Sequence, residues 1–426
     1  MRSTVGRAWR GIVWATPGQI DAGMASLATF GAGIYAVRAL PIEELGAYSL
    51  LFAAFLFANQ FSTELILIPT QVLAVDLPTE NRLGMMRHSI PRGLAVALLS
   101  ACVVPLGLFP LISEIQVSRL LPLAVSAAGL CAVSPLQDHV RSMFHLSARS
   151  WVAASMSVTH LAATGASIVF LSRSLPLWTP FGALALGNVV SLGLAMGIWG
   201  RERPSACPRP STNDLRSIGG WLLVTGLVKT GAGYASRGLL HGFVGLTALG
   251  LVEAARVTAQ PINVIALGLM SQIGPRLTDA AANRDLVAIK RWRERFVWLL
   301  FVAVGPYVAI TALPWRFNPL ANLTPLAYVM PGLTAAMLVA VVFACLVRPL
   351  RAELLGVRLQ RTVTAVTVVG SLIELVAMPT GRLLGPFVIP LGGLLSAVTA
   401  VVMLARRARR FYLIQPQGGV RTVQST

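Results

Sequence analysis

Negative charge is what this chain has least of. Only 16 of its 426 residues are Asp or Glu, against 35 Lys and Arg, and Lys229 and Lys290 are the only lysines. Charged residues together make up 12% of the chain, while 55% are hydrophobic and the mean hydropathy is +0.71. A soluble domain, with a charged share of about 25%, is excluded. Cysteine is scarce too: Cys102, Cys131, Cys207 and Cys345 stand far apart and form no CxxC pair. That spacing excludes a disulfide framework and a thiolate metal site, and leaves four small packing residues. No Walker A loop, HExxH helix or other paired metal ligand occurs, so neither a built-in ATPase nor a metal or other cofactor is expected. The opening MRSTVGRAWRGIVWATPG has a basic start but no apolar core followed by a small-residue cleavage site, so it is expected to be retained.

What the chain does have is apolar segments of roughly 20 residues along its whole length, the span that a hydrocarbon core requires. The expected fold is an all-α polytopic membrane protein; a β-barrel would alternate in ten-residue segments instead. About twelve spans are expected, near residues 18–40, 46–75, 93–113, 119–138, 151–172, 178–200, 218–241, 246–275, 296–314, 325–347, 362–381 and 384–405. The net charge of +19 does not point to nucleic acid, because the basic residues fall mostly in short connections between the apolar segments. On this reading 27 of the 35 basic residues lie on one side. Arg38, Arg119, Arg173, Arg237, Arg316 and Arg382 lie at the other, and Lys229 and Arg256 fall inside spans. The asymmetry places both termini in the cytoplasm of a cell whose plasma (inner) membrane holds the protein.

The segment GRERPSACPRPSTNDLR, Gly200 to Arg216, is the one Pro-rich hydrophilic connector near the middle. It divides the chain into a six-helix lobe at 1–200, a cytoplasmic linker at 201–217, a second six-helix lobe at 218–405 and a basic tail at 406–426. The lobes echo each other. GAGIYAVRAL at Gly31 is answered by GAGYASRGLL at Gly231, and LGAYSLLFAAFLFAN (Leu45 to Asn59) by LGLVEAARVTAQPIN (Leu249 to Asn263). VRSMFHLSARSW at Val140 is answered by LRAELLGVRLQR at Leu350, which pairs Arg141 with Arg351. Six helices per lobe is an even number, so the copies share one orientation and are related by a pseudo-two-fold axis along the membrane normal. Two such lobes leave a cavity between them, which favours a transporter over an enzyme.

The charges within the spans are the candidate site. Lys229 and Arg237 share a stripe with Gly233, and a cation facing lipid at mid-depth costs at least ~2.5–3.5 kcal/mol, so the stripe is expected to face the interior. Snorkelling to the headgroups is the alternative for Arg237, and a structural ion pair the alternative for Lys229. Glu253 and Arg256, three residues apart, form either a local pair or part of a site, with Pro261 and Asn263 beyond them. Arg38 corresponds roughly to Arg237, and Asn59 to Asn263. Glu64 and Glu374 are the candidates for coupling to protons or sodium ions, since a buried carboxylate can carry a proton. His160 reads as a hydrogen-bonded packing residue or a proton carrier.

The stretch VRALPIEELGAYSLLFAAFLFANQF, Val37 to Phe61, resembles the polysaccharide flippases of the MOP superfamily, which also holds the MATE drug exporters. Arg38, Leu40, Glu43, Glu44, Leu45, Gly46, Tyr48 and Ser49 carry the resemblance, and LGLMSQIGPRLTDAAANRD (Leu267 to Asp285) is similar to a later segment of that family. The resemblance implies two six-helix bundles around a cationic cavity. The activity it implies is alternating-access translocation of a polyprenyl-diphosphate-linked oligosaccharide for cell-surface polysaccharide biosynthesis. Lys229, Arg237, Arg256 and Arg38 would contact the diphosphate or acidic sugar. Membrane lipids and other polysaccharide-assembly proteins are the implied partners. A MATE-type multidrug or cation antiporter is the alternative, followed by a major-facilitator transporter and a membrane glycosyltransferase or polymerase.

Overall fold

The computed structural model describes the backbone of residues 2–112, 114–200, 209–311, 313, 317–318, 320, 323–330 and 332–414, and side chains there except those of 2–16, 110 and 414. Residues 201–208 of the expected linker, which include Cys207, together with Arg316 and the last twelve residues of the tail, lie outside the described residues. Within them the chain is helical, with no strand. Twelve helices have 16 residues or more. In the first half they are α1 (Arg2–Ala39), α2 (Ile42–Ser62), α3 (Met86–Ala101), α4 (Val117–Leu146), α5 (Ser150–Ser174) and α6 (Thr179–Trp199). In the second half they are α7 (Thr212–Val244), α8 (Leu246–Ala282), α9 (Leu286–Thr311), α10 (Leu333–Gly356), α11 (Gln360–Ala377) and α12 (Val388–Ile414).

Among the described residues nine stretches are long and apolar enough to cross a membrane, fewer than the twelve expected. Two physical reasons account for the difference. The stretch Gln360–Leu413 contains both α11 and α12, which turn back on each other through short helical turns at Met378–Phe387. The other two missing segments are α7 and α8, which carry Lys229, Arg237, Glu253 and Arg256 and are rich in Gly, Ala and Thr. Their composition suits a helix that faces other helices. In α8, 17 of the 37 residues are buried inside the protein.

Helices α1–α6 pack among themselves through α1 on α5, α5 on α6, α4 on α6 and α2 on α4. Helices α7–α12 do so through α8 on α10, α10 on α12, α11 on α12 and α7 on α11. The two groups meet where α1 and α2 touch α7 and α8. Small side chains make these approaches possible, as lipid offers no hydrophobic drive to associate. Ala28, Ala32 and Ala36, four residues apart on α1, are all at most 1% exposed. After Ser62 the second helix widens into a π-turn at Thr63–Leu67 before continuing as Ile68–Val75, with Pro69 just past the wide turn. Proline cannot donate to the helical ladder, and such bulges gather at functional positions.

Candidate functional site

The tightest join between the two groups lies at the start of α2 and α8. A methyl group added at Gly46 would overlap the carbonyl oxygen of Leu246, and one added at Gly250 would overlap that of Ile42. Both pairs are reciprocal: 46 corresponds to 250 and 42 to 246 at an offset of 204. The same offset recurs in two hydrogen bonds across the join. Thr247 Oγ1 donates to Glu43 Oε1 at 3.4 Å, and Ser49 Oγ donates to Glu253 Oε2 at 2.9 Å. Residues 204 positions apart therefore touch at this join.

Around Ser49 the intramembrane charges collect. Arg256 grips Glu253 with two bonds, Nε to Oε2 at 2.9 Å and NH2 to Oε1 at 2.6 Å, and lies 5.0 Å over the Phe52 ring. Arg237 donates from Nε to Ser49 Oγ at 3.2 Å and from NH1 to the Gly233 carbonyl at 3.0 Å. The Glu253 side chain is fully buried, which is tolerable because every one of its partners is a charged or hydroxyl donor. Three expected site residues, Arg237, Glu253 and Arg256, thus form one cluster that ties α2 to α7 and α8. More of the same end is latched nearby: Arg119 pairs with Glu44 at 2.6 Å, His241 Nε2 meets Glu114 Oε1 at 3.0 Å, and Tyr328 donates to the Leu40 carbonyl at 2.8 Å.

Lys229 sits elsewhere. With Arg351, Thr367, Ser371, Glu374 and Ser396 it lines a cavity of about 250 Å³ among α7, α10, α11 and α12. No carboxylate lies within ion-pair distance of Lys229 among the described residues, and Glu374 is the one acid in the lining. Asn263 borders the same region: its Oδ1 accepts from Arg348 NH2 at 3.1 Å and from Cys345 Sγ at 3.7 Å. Hence the pocket holds two cations, one carboxylate and a rim of hydroxyls, a set suited to an oxyanion.

The first half has its own polar cavity, of about 200 Å³, lined by Asn59, Gln137, Asp138, His160 and Asn188 among others. Asn59 Oδ1 and both ring nitrogens of His160 are buried without a hydrogen-bond partner. Beside it Asp21 of α1, 7% exposed, accepts from Ser157 Oγ at 2.5 Å and meets His145 Nε2 at 2.9 Å. Arg141 lies 3.6 Å from Asp21 and bonds Asp138 at 2.7 Å. The Asp138 side chain is 55% exposed and lines the cavity. Two carboxylates against one arginine make this side acidic, where the second-half cavity is basic.

The remaining expectations are not brought together. Arg38 is exposed at the end of α1, away from both cavities. Glu64 sits in the π-turn, its Cγ against Gly226 of α7, and joins neither cavity. Asn59 and Asn263, equivalent in sequence, face separate environments. Arg141, Arg348 and Arg351 need correcting. Assigned to connections in the sequence, they lie inside α4 and α10, because these helices run 8 to 9 residues past the expected spans of 119–138 and 325–347. Asp21, Asp138 and His145 were not singled out from the sequence at all. The partners of Asp21 at His145 and Ser157 are 124 and 136 residues away, so only the fold reveals them, whereas Asp138 pairs with Arg141 at a helical i, i+3 spacing.

No protein-family model and no curated protein matches the chain in sequence. Solved structures do match in shape. A multidrug resistance MATE family transporter of the MOP superfamily, in an inward-facing conformation, superposes with a TM-score of 0.71 at 15% identity, covering 92% of this chain and 96% of that one. The fold is that of the MATE transporters. A MATE family transporter in an outward-facing conformation gives 0.62 at 14% identity, over 94% of this chain and 96% of that one. A third match is a MOP superfamily transporter from Pyrococcus furiosus, with a TM-score of 0.59 at 14% identity over 95% and 96% of the two chains. Its description reports a binding pocket of reverse polarity that suggests a different function.

Proposed function

We propose that the protein is a MATE-type antiporter that carries its substrate by alternating access in exchange for a cation. The observation that carries this reading is the reciprocal α2–α8 join. It closes one end of the interface between the two groups of helices with contacts that a small rocking motion would break, and the better superposition on the inward-facing neighbour than on the outward-facing one supports the closed end being the outer one. In this reading twelve spans form two six-helix lobes at 1–200 and 218–405, joined by 201–217, with both termini in the cytoplasm and the protein in the plasma membrane. The coupling cation, a proton or sodium ion, belongs to the acidic first-half cavity, with Asp21 and Asp138 as its carboxylates. Glu374 opposes Lys229 and Arg351, and serves to balance the basic pocket.

The substrate is an amphiphile with an anionic group, because the second-half cavity offers Lys229 and Arg351 against a single carboxylate. A cationic drug would be repelled there, whatever the neighbours carry. The neighbour of reversed pocket polarity supports the idea that one fold serves substrates of either sign. A polyprenyl-diphosphate-linked oligosaccharide is the second reading, favoured by the same two cations. Reconstitution into liposomes with an imposed proton or sodium gradient tests the proposal. Gradient-driven movement of an anionic amphiphile is expected, and it should be lost when Lys229 and Arg351 are both changed to Ala. Transport indifferent to either gradient would reject the antiporter. Gradient-driven movement of a cationic dye that survives the double change would reject the anionic substrate. Transfer of a short-chain lipid-linked glycan without any gradient would favour the second reading.

A further inference from the structure

The side of α11 and α12 that faces away from the Lys229 cavity carries a groove of its own. At one end it is a recess of about 480 Å³ bordered by Arg361, Arg406, Arg407 and Arg410, with Ala365 also in its lining. At the other it is a recess of about 590 Å³ lined by apolar side chains such as Leu372, Val376, Leu391 and Leu395, with Thr380 the one polar group. The spacing joins the two. Residues 362, 365, 369, 372 and 376 fall on one face of α11 at steps of three and four, and 391, 395, 398, 402, 406 and 410 do so on α12. The cavity holding Lys229 uses the opposite face, through Gly370, Glu374 and Ser396.

All four arginines are exposed, and among the described residues none of them takes part in an ion pair. The apolar end is exposed as well: Leu372 is 54%, Val376 76% and Leu395 55% accessible. From Arg361 to Val376 the rise of α11 is about 22 Å, longer than half of a ~30 Å hydrocarbon core. Cations cluster at one end of a greasy channel deeper than one leaflet. A recess of about 660 Å³ between α9 and α10 makes a useful contrast, since its lining carries no charge.

We infer that the α11–α12 groove binds an anionic two-chain phospholipid of the leaflet on the arginine side, with its phosphate held by Arg361, Arg406, Arg407 and Arg410 and an acyl chain laid along Leu372, Val376 and Leu395. Basic recesses between membrane helices at the headgroup level are built for this chemistry, because the guanidinium fork matches phosphate oxygens. The assignment does not depend on what the protein transports. It concerns a groove that shares only Val366 with the lining of the Lys229 cavity and nothing with that of the first-half cavity.

Detergent-purified, delipidated protein titrated with phosphatidylglycerol and followed by native mass spectrometry tests it, with phosphatidylcholine of the same chains as the control. Phosphatidylglycerol should be retained at least tenfold better than phosphatidylcholine and should raise the melting temperature. The variant carrying Arg→Gln at 361, 406, 407 and 410 should lose that preference. Ala365→Trp, which places a bulky side chain in the recess without altering charge, should lose binding of the lipid while remaining monodisperse, and it keeps the test open if the quadruple variant does not fold. Equal retention of the two lipids would overturn the assignment, since ordinary annular lipid shows no such preference. The same melting shift with inorganic phosphate alone would also overturn it, by reducing the site to a patch for free anions.

Discussion

Ser49 is the node on which the α2–α8 join turns, and its removal has a calculable effect. Its hydroxyl donates to Glu253 at 2.9 Å, accepts from Arg237 at 3.2 Å, and is fully buried. Hydrogen bonds to charged groups are worth about 1.5–3 kcal/mol each. The low end applies, because Glu253 keeps both bonds from Arg256 and Arg237 keeps the Gly233 carbonyl. Ser49→Ala therefore costs the closed join about 3 kcal/mol in total if neither bond survives opening. At 1.4 kcal/mol per decade, the ratio of open to closed forms rises on the order of 100-fold. The assay is the rate at which a membrane-impermeant maleimide modifies Ile42→Cys in a background without native cysteines, since Ile42 lies against Gly250 only while the join is shut. The Ser49→Ala change should speed labelling at least tenfold. A rate within twofold of the parent, in protein that remains monodisperse, would refute the idea that these bonds exist only in the closed form.

Other outcomes follow from the same geometry. Gly46→Val or Gly250→Val places a side chain where a carbonyl already sits, and should hold the join apart, with Ile42→Cys labelled fast and transport stalled. Arg256→Leu strands the buried Glu253 carboxylate and should cost about 3 kcal/mol in thermal-stability assays, while the double change Glu253→Leu with Arg256→Leu should recover most of the loss. Asp21→Asn removes the partner of His145, Ser157 and Arg141 and should abolish dependence of transport on the cation gradient while leaving substrate binding measurable by fluorescence quenching. Swapping the charge of the second-half cavity, Lys229→Glu, should lower affinity for an anionic amphiphile by tenfold or more in the same binding assay.

The helical, membrane-spanning architecture was readable from the chain because lipid imposes a simple length rule. The alignment of LGAY at Leu45 with LGLV at Leu249 pairs Gly46 with Gly250 in sequence, and in the structure each glycine lies against a backbone carbonyl of the other helix. The Glu253–Arg256 pair was one of the two readings that their spacing allows, but the stripe of Lys229 and Arg237 does not form one site: Arg237 joins the pair through Ser49, and Lys229 lines a separate cavity. What escaped were the charges that hydropathy assigns to connections. Arg141, Arg348 and Arg351 look like topology signals, yet α4 and α10 continue beyond the apolar stretch and point them inward. Asp21 escaped because a lone carboxylate near the start of an apolar helix gives no hint of partners more than 120 residues away. Arg38 and Glu64 show the opposite limit. Each is polar within an apolar setting, but one caps a helix end and the other abuts a glycine, and depth alone does not distinguish those places from a cavity wall.

The low hydropathy of α7 and α8 has a consequence for biosynthesis. Helices that carry Lys229, Arg237, Glu253 and Arg256 have little reason to leave the translocon for lipid singly, and Arg237 meets its hydroxyl partner only once α2 is already in the bilayer. The second half then depends on the first as a template, with α7 and α8 entering as a hairpin against finished helices. A truncated chain that begins after the central connector should integrate poorly by itself, and should be rescued when residues 1–200 are supplied as a separate polypeptide.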